Sequence, residues 1–199
     1  MEKVISIVGA GGKTTLVHKL AREYHRRGKG VLVTTTTHMY VEADTDLSCD
    51  FFALRDKIIK DGYCMAGQKI SEQKISEQSK SKMCGLPYGL LDKLIKDMPQ
   101  ALDYVIIEAD GAKHHSLKYP AADEPVIYPG TTDVIIVLGT WEKGKLCKDV
   151  VFRYELMQNE LGMAEDVVVD DSVIDTLRQV YVKKLRDSGF KGRISTYYR

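Results

Sequence analysis

The chain has 199 residues, of which 44% are hydrophobic and 29% charged, with 29 Lys and Arg against 28 Asp and Glu. This composition fits a folded globular protein and argues against global disorder. The net charge of +1 argues against long nucleic acid or an anionic membrane gripping the whole surface, yet allows a local basic pocket for one phosphate group.

One domain spanning 1–199 with a single insertion is expected at this length, and it would bury roughly 70% of its unfolded surface. Cys49, Cys64, Cys84 and Cys147 form no CxxC pair and no zinc-type spacing, so they read as reduced thiols of a cytosolic protein. No basic leader with an apolar stretch opens the chain, and the longest aliphatic run is Val134 to Leu138, far short of the ~20 residues that span a bilayer. A cytoplasmic protein is expected.

Residues 4–8, Val-Ile-Ser-Ile-Val, read as a strand covered on both faces. A glycine-rich break follows. Residues 14–27 read as an amphipathic helix, with Leu16, Val17, Leu20, Ala21 and Tyr24 on its apolar face. Gly28 and Gly30 stop it, and 31–35 form a second strand. Strand, helix and strand in succession predict a parallel pair with a right-handed crossover.

Residues 61–86 are polar, carry three glycines and repeat KISEQ over 69–78. They read as an exposed hairpin or loop insertion. Residues 88–98 predict a short helix, 104–108 and 134–138 buried strands, and 150–161 and 171–187 further helices, the last with Asp171 as N-cap. The alternation predicts an α/β fold with a mainly parallel sheet flanked by helices.

The sharpest motif is Gly9-Ala10-Gly11-Gly12-Lys13-Thr14-Thr15, set between a buried strand and an amphipathic helix. In that setting a glycine-rich loop lets backbone N–H groups curl around phosphate oxygens, and the helix N-terminus adds its dipole. Lys13 would reach the β- and γ-phosphates, and the Thr14 hydroxyl would coordinate Mg²⁺. The match to GxxxxGK[ST] is incomplete, because Ile7 stands where the first glycine would be.

The strand at 104–108 ends in Glu108, followed by Asp110 and Gly111. A carboxylate at such a strand end holds Mg²⁺ through water in P-loop sheets, and sequence does not separate Glu108 from Asp110. Gly111 would let backbone approach a phosphate. Lys113, His114, His115 and Lys118 follow as a local basic cluster, more consistent with a solvated loop than with an anion site. Thr34 to Thr37 and His38 stand at a strand's carboxyl end, where one threonine would face a terminal phosphate or serve as ordinary strand and turn. No [NT]KxD is present, which removes the usual guanine-reading motif and leans weakly toward ATP.

The segments VGAGGKTT, TTTTHMY and EADGAKHHSLKYPAADEPVIYPGTTDVIIVLG resemble the YqeC-type family, described as selenium-dependent hydroxylase accessory proteins. The likeness is specific over 4–40 and 104–139 and extends to Gly144-Lys145 and Val151-Phe152-Arg153. The resemblance implies a three-layer P-loop NTPase-like fold, with a mainly parallel β-sheet flanked by helices, and an association with the maturation of selenium-dependent molybdenum hydroxylases. By position it implies a nucleotide site of Gly9, Gly11, Gly12, Lys13, Thr14, Glu108, Asp110 and Gly111, with Lys113 and Arg153 as weaker additions.

Three functions follow as expectations. The first is a Mg²⁺-dependent accessory protein that binds ATP or GTP, hydrolyses it slowly and handles a client enzyme or a cofactor precursor. The second is a small-molecule kinase or nucleotidyl transferase whose Lys113, His114 and Arg153 hold an anionic acceptor while Asp110 acts as base. The third is a non-catalytic nucleotide sensor or interaction module.

Overall fold

The computed structural model describes residues 3–70, 81–112 and 115–199. Most of the KISEQ repeat, together with Lys113 and His114, lies outside the described residues. The chain divides into two compact units that interleave in sequence. The first is drawn from Met1–Ser6, Thr14–Ala109 and Ile127–Thr132, the second from Ile7–Lys13, Asp110–Val126 and Asp133–Arg199.

The early elements fall mostly in the first unit, although Ile7–Lys13, the end of the first strand and the first residue of the first helix, belongs to the second. Strand β1 (Lys3–Gly9) leads to helix α1 (Lys13–Arg26), then to β2 (Val31–Thr35) and β3 (His38–Tyr40). Val4, Ile7 and Val8 of β1 and all three apolar residues of β2 are fully buried, as β-branched and aliphatic runs without polar alternation demand. Helix α2 (Phe51–Asp61) starts at Asp50, whose carboxylate accepts from the Ala53 amide, and stops at left-handed Gly62. Then come β4 (Tyr63–Met65), β5 (Gln68–Lys69), β6 (Lys82–Cys84), α3 (Tyr88–Asp97) and β7 (Tyr104–Glu108).

The second unit holds β8 (Leu117–Lys118), β9 (Asp133–Leu138), α4 (Cys147–Val150), β10 (Val151–Phe152), α5 (Tyr154–Leu161), α6 (Asp171–Asp187) and β11 (Arg193–Tyr198). A single 3₁₀ turn, Thr140–Glu142, follows β9. Helix α6 buries Val173, Ile174, Leu177, Tyr181 and Leu185 along one stripe. Its N-cap is Asp170, accepting from Val173 N at 2.9 Å, one residue before the predicted Asp171.

Strand order in the six-stranded sheet is β11-β9-β1-β7-β2-β4. Strand β2 pairs in parallel with both β7 and β4, and β11 in parallel with β9. The α/β class and the mainly parallel sheet therefore agree with the sequence expectation.

Four details differ. Strands β1 and β2 are not neighbours, because β7 lies between them. Val105, Ile106 and Ile107 are fully buried, and such a strand gains most from a partner on each edge. The predicted insertion begins with a strand of the main sheet, β4, whose Cys64 and Met65 are fully buried. Among the described residues, β5 pairs antiparallel with β6, and β3 lies antiparallel on β6 as a third strand. The helix predicted over 150–161 is broken at Arg153, which takes φ +64° and separates β10 from α5.

Among the described residues no helix is long and apolar enough to cross a membrane. All four cysteines are free thiols.

Candidate functional site

Within the second unit, the glycine-rich turn of residues 9–13 packs against the backbone of β9 and of Ser116. Gly9, Gly11 and Gly12 have φ of +90°, +81° and +120°, values that side chains rarely adopt. A Cβ on Gly9 would strike the Val137 carbonyl of β9, and one on Gly11 the Ser116 carbonyl. The Ala10 amide donates to that same Val137 carbonyl at 2.9 Å. Glycine is thus required by close approach as well as by conformation.

Lys13 opens α1 and is only 6% exposed. Its ammonium turns back along the loop and donates to the Gly9 carbonyl at 2.8 Å. The first-turn N–H groups of α1 lack partners within the helix, and the dipole places partial positive charge at the same end. One short stretch of chain therefore gathers two sources of positive potential, an ammonium and a helix N-terminus, the combination that attracts an anion.

In the first unit, Thr14 donates through Oγ1 to Glu108 Oε2 at 2.7 Å. Thr14 is exposed and Glu108 is 8% exposed. The end of β7 that carries Glu108 is held by its neighbour β2: the Glu108 carbonyl accepts from Thr35 Oγ1 at 2.6 Å and from Thr36 N at 3.1 Å. Thr35 is thereby a backbone clamp. Thr34 is buried and accepts from Leu86 N at 3.3 Å. These two threonines take the strand role, and His38 is exposed on β3.

A hydroxyl and a carboxylate are hard oxygen donors suited to Mg²⁺. Their 2.7 Å separation is that of an ordinary hydroxyl-to-carboxylate hydrogen bond. Among the described residues no group of three or more His, Cys, Asp or Glu could hold a metal by itself. The fit is to a cation that takes one or two protein oxygens and leaves the rest to water and phosphate, as Mg²⁺ does.

Asp110 lies in a different environment. It is 2% exposed, and its Oδ1 accepts from the fully buried Lys118 ammonium. Its Oδ2 accepts from the buried Tyr181 hydroxyl at 3.0 Å. Burial pushes the Asp110 carboxyl up, against the pull of the Lys118 ammonium. Tyr181 is raised well above its ordinary value by burial and by the Asp110 charge.

Lys118 also donates to the Gly111 carbonyl at 2.6 Å and to Glu124 Oε2 at 2.8 Å. Arg153 completes the cluster on Glu124. The parallel pairing of β8 with β10, Lys118 opposite Phe152, brings Arg153 to this place. The solvated-loop expectation therefore fails at Lys118, which is buried because two carboxylates and a carbonyl surround it. Gly111 is exposed, with open space where a Cβ would stand.

Burial would raise the Glu124 carboxyl, but hydrogen bonds from Arg153, Lys118 and the Ala121 amide outweigh it and hold the pKa at about 2, against an ordinary 4.5. A depressed folded-state value contributes stability above pH 4.5 that is lost as pH falls toward 2. Asp110, raised by burial, works in the opposite sense. Urea unfolding at pH 7, 4.5 and 3 should show the wild type losing about 2 kcal/mol between pH 7 and pH 3, most of it below pH 4.5. The Glu124→Gln variant should start lower at pH 7 and lose less, and parallel curves would refute the assignment.

The structure thus brings Thr14 to Glu108, and Lys13 to Gly9, while giving Asp110 to Lys118 and Tyr181. Thr15 is exposed. Sequence reasoning missed Tyr181 and Glu124, and read Lys118 as surface. No local signal marks them, since Tyr181 sits in an ordinary amphipathic stripe.

The fold and loop define an α/β protein with a mainly parallel sheet and a glycine-rich strand-to-helix turn. Residues 5–155 match the model of the YqeC protein family, and the chain belongs to that family. It is similar to the uncharacterized protein YqeC of Escherichia coli (strain K12), with 30% identity over 167 residues. The match covers 83% of this chain but only 63% of that relative's length.

Proposed function

We propose that the protein binds a nucleoside triphosphate, ATP or GTP, together with Mg²⁺ at the loop of residues 9–15. The observation that carries this reading is the hydrogen bond of Thr14 Oγ1 to Glu108 Oε2 at 2.7 Å, one residue after an ammonium folded over its own glycine loop. In this reading the loop from Gly9 to Thr15, with its backbone amides, embraces the phosphates, and Lys13 neutralises their charge. Thr14 and Glu108 would hold Mg²⁺, which supplies further neutralisation of the polyphosphate when bound. Asp110 is the weaker metal ligand of the two acids because both its oxygens are engaged.

Slow hydrolysis in the service of a client fits an accessory role, and the family resemblance points to maturation of selenium-dependent molybdenum hydroxylases. The acceptor-binding alternative is weakened at Arg153, whose guanidinium is bound to Glu124.

Calorimetric titration with ATP, GTP and CTP, with Mg²⁺ or with EDTA, tests the reading. At least one nucleotide should bind in a Mg²⁺-dependent way. Thr14→Ala should weaken that binding about tenfold or more, and Thr15→Ala should have less effect. Failure of every nucleotide to bind would end the proposal.

A further inference from the structure

Arg199 reaches the glycine loop from the far end of the chain. Its backbone is fixed by three hydrogen bonds: its N–H donates to the Leu138 carbonyl at 3.0 Å, and its carbonyl accepts from Thr140 N at 2.8 Å and from Thr140 Oγ1 at 2.6 Å. These continue the β11–β9 ladder, in which Tyr198 stands opposite Leu138. The side chain is therefore aimed by the sheet. Its guanidinium lies over the ring of Trp141, 5.2 Å from the centroid. It also covers Gly12, where a Cβ would come within 2.7 Å of Arg199 Nη1 and 2.8 Å of Cδ. The Trp141 ring in turn rests on Gly139, where a Cβ would meet Cη2 at 2.9 Å. All of these residues belong to the second unit.

Arg199 is exposed and Trp141 is 47% exposed. A guanidinium is charged at any physiological pH, is weakly hydrated, and presents a planar fork that fits phosphate oxygens. Stacking over an indole holds its plane without using its N–H donors. Its place against Gly12, next to Lys13, adds a second full positive charge to a loop already favouring anions.

We propose that Arg199 is a phosphate-binding residue, which contacts the polyphosphate of a nucleoside triphosphate at the loop while Trp141 holds its guanidinium in position. This inference rests on the nucleotide-binding reading above and adds to it a residue 184 or more positions away from the loop (199 against 15). Because the contact is to phosphate, it acts on the polyphosphate whatever the base.

The test uses the full chain and four forms: wild type, Arg199→Ala, Arg199→Gln and Arg199→Lys. Each is titrated with Mg²⁺ complexes of ATP, GTP and tripolyphosphate, by calorimetry and by emission of Trp141, which is the one tryptophan of the chain. Wild-type emission should change on binding. Arg199→Ala and Arg199→Gln should bind the preferred nucleotide and tripolyphosphate about tenfold or more weakly, with Arg199→Lys between them and wild type. Ligand-free melting points should stay within a few degrees, since the backbone bonds remain. Undiminished binding by Arg199→Gln would overturn the arginine's role and leave the nucleotide reading standing. A loss seen with nucleotides and not with tripolyphosphate would likewise overturn it. A wild type that binds none of the three would overturn both.

Discussion

Truncating Lys118 to alanine is expected to lower the unfolding free energy by about 3–5 kcal/mol. The side chain is fully buried and its ammonium donates to Asp110, to the Gly111 carbonyl at 2.6 Å and to Glu124 at 2.8 Å. Glu124 keeps Arg153, but Asp110, 2% exposed, would lose its hydrogen-bonded cation and keep the Tyr181 hydroxyl and the attraction of the Lys13 charge. An unpaired buried carboxylate costs more than the ion pair ever contributed.

Two further measurements separate that electrostatic cost from lost packing. Lys118→Met keeps the stem, so a loss of similar size assigns the effect to charge. Adding Asp110→Asn to Lys118→Met should recover most of the loss, because the buried negative charge then goes too. The pH dependence follows in sign. Burial already raises Asp110, and removing the ammonium raises it further. A carboxyl raised in the folded state binds a proton that the unfolded chain has released, so stability falls as pH rises through that window. The deficit of Lys118→Met should accordingly shrink between pH 8 and pH 5. A double variant no more stable than Lys118→Met would sink this account.

The sheet was legible where the sequence is locally uniform. Strands β2 and β7 were read at their observed bounds, and β1 and β9 within a residue or two, because unbroken β-branched runs have no other home than a sheet covered on both faces. Helices α1, α3 and α6 followed from their apolar stripes. Strand β11 gave no such signal. Arg193-Ile194-Ser195-Thr196-Tyr197-Tyr198 mixes polar and apolar residues, as suits an edge strand with one partner, β9. Helix α2 was missed because its stripe is short, with only Leu54 and Ile58 buried.

Strand order could not be read at all, since β7 enters between β1 and β2 by pairings 73 positions apart in the chain (Thr35 to Glu108). The same division runs through the candidate site. Its contiguous part, Gly9 to Thr15, announces itself by spacing. Residues joined only by the fold do not: Lys118 to Tyr181 through Asp110, and Arg199 to Gly12.

Exchanging Lys13 for methionine should abolish most nucleotide affinity, by roughly a hundredfold, if two charge-assisted hydrogen bonds to phosphate are lost. The residue is nearly buried at the start of α1, and its ammonium lies 2.8 Å from the Gly9 carbonyl. Methionine keeps the length of the stem and leaves the three positive-φ glycines untouched. The loop itself should therefore persist, and the ligand-free melting point should move by only a few degrees. The difference must appear on adding ligand. A ligand bound to the folded state stabilises it by mass action, about 2.7 kcal/mol at a hundred times its dissociation constant. Under those conditions the wild type should gain several degrees with nucleotide and Mg²⁺, and Lys13→Met almost none. An equal gain in both proteins would mean that the anion, if it binds, binds away from this loop. Arginine at the same position makes the sharper control: it restores the charge but not the compact ammonium that fits over Gly9, so it should recover only a fraction of the shift.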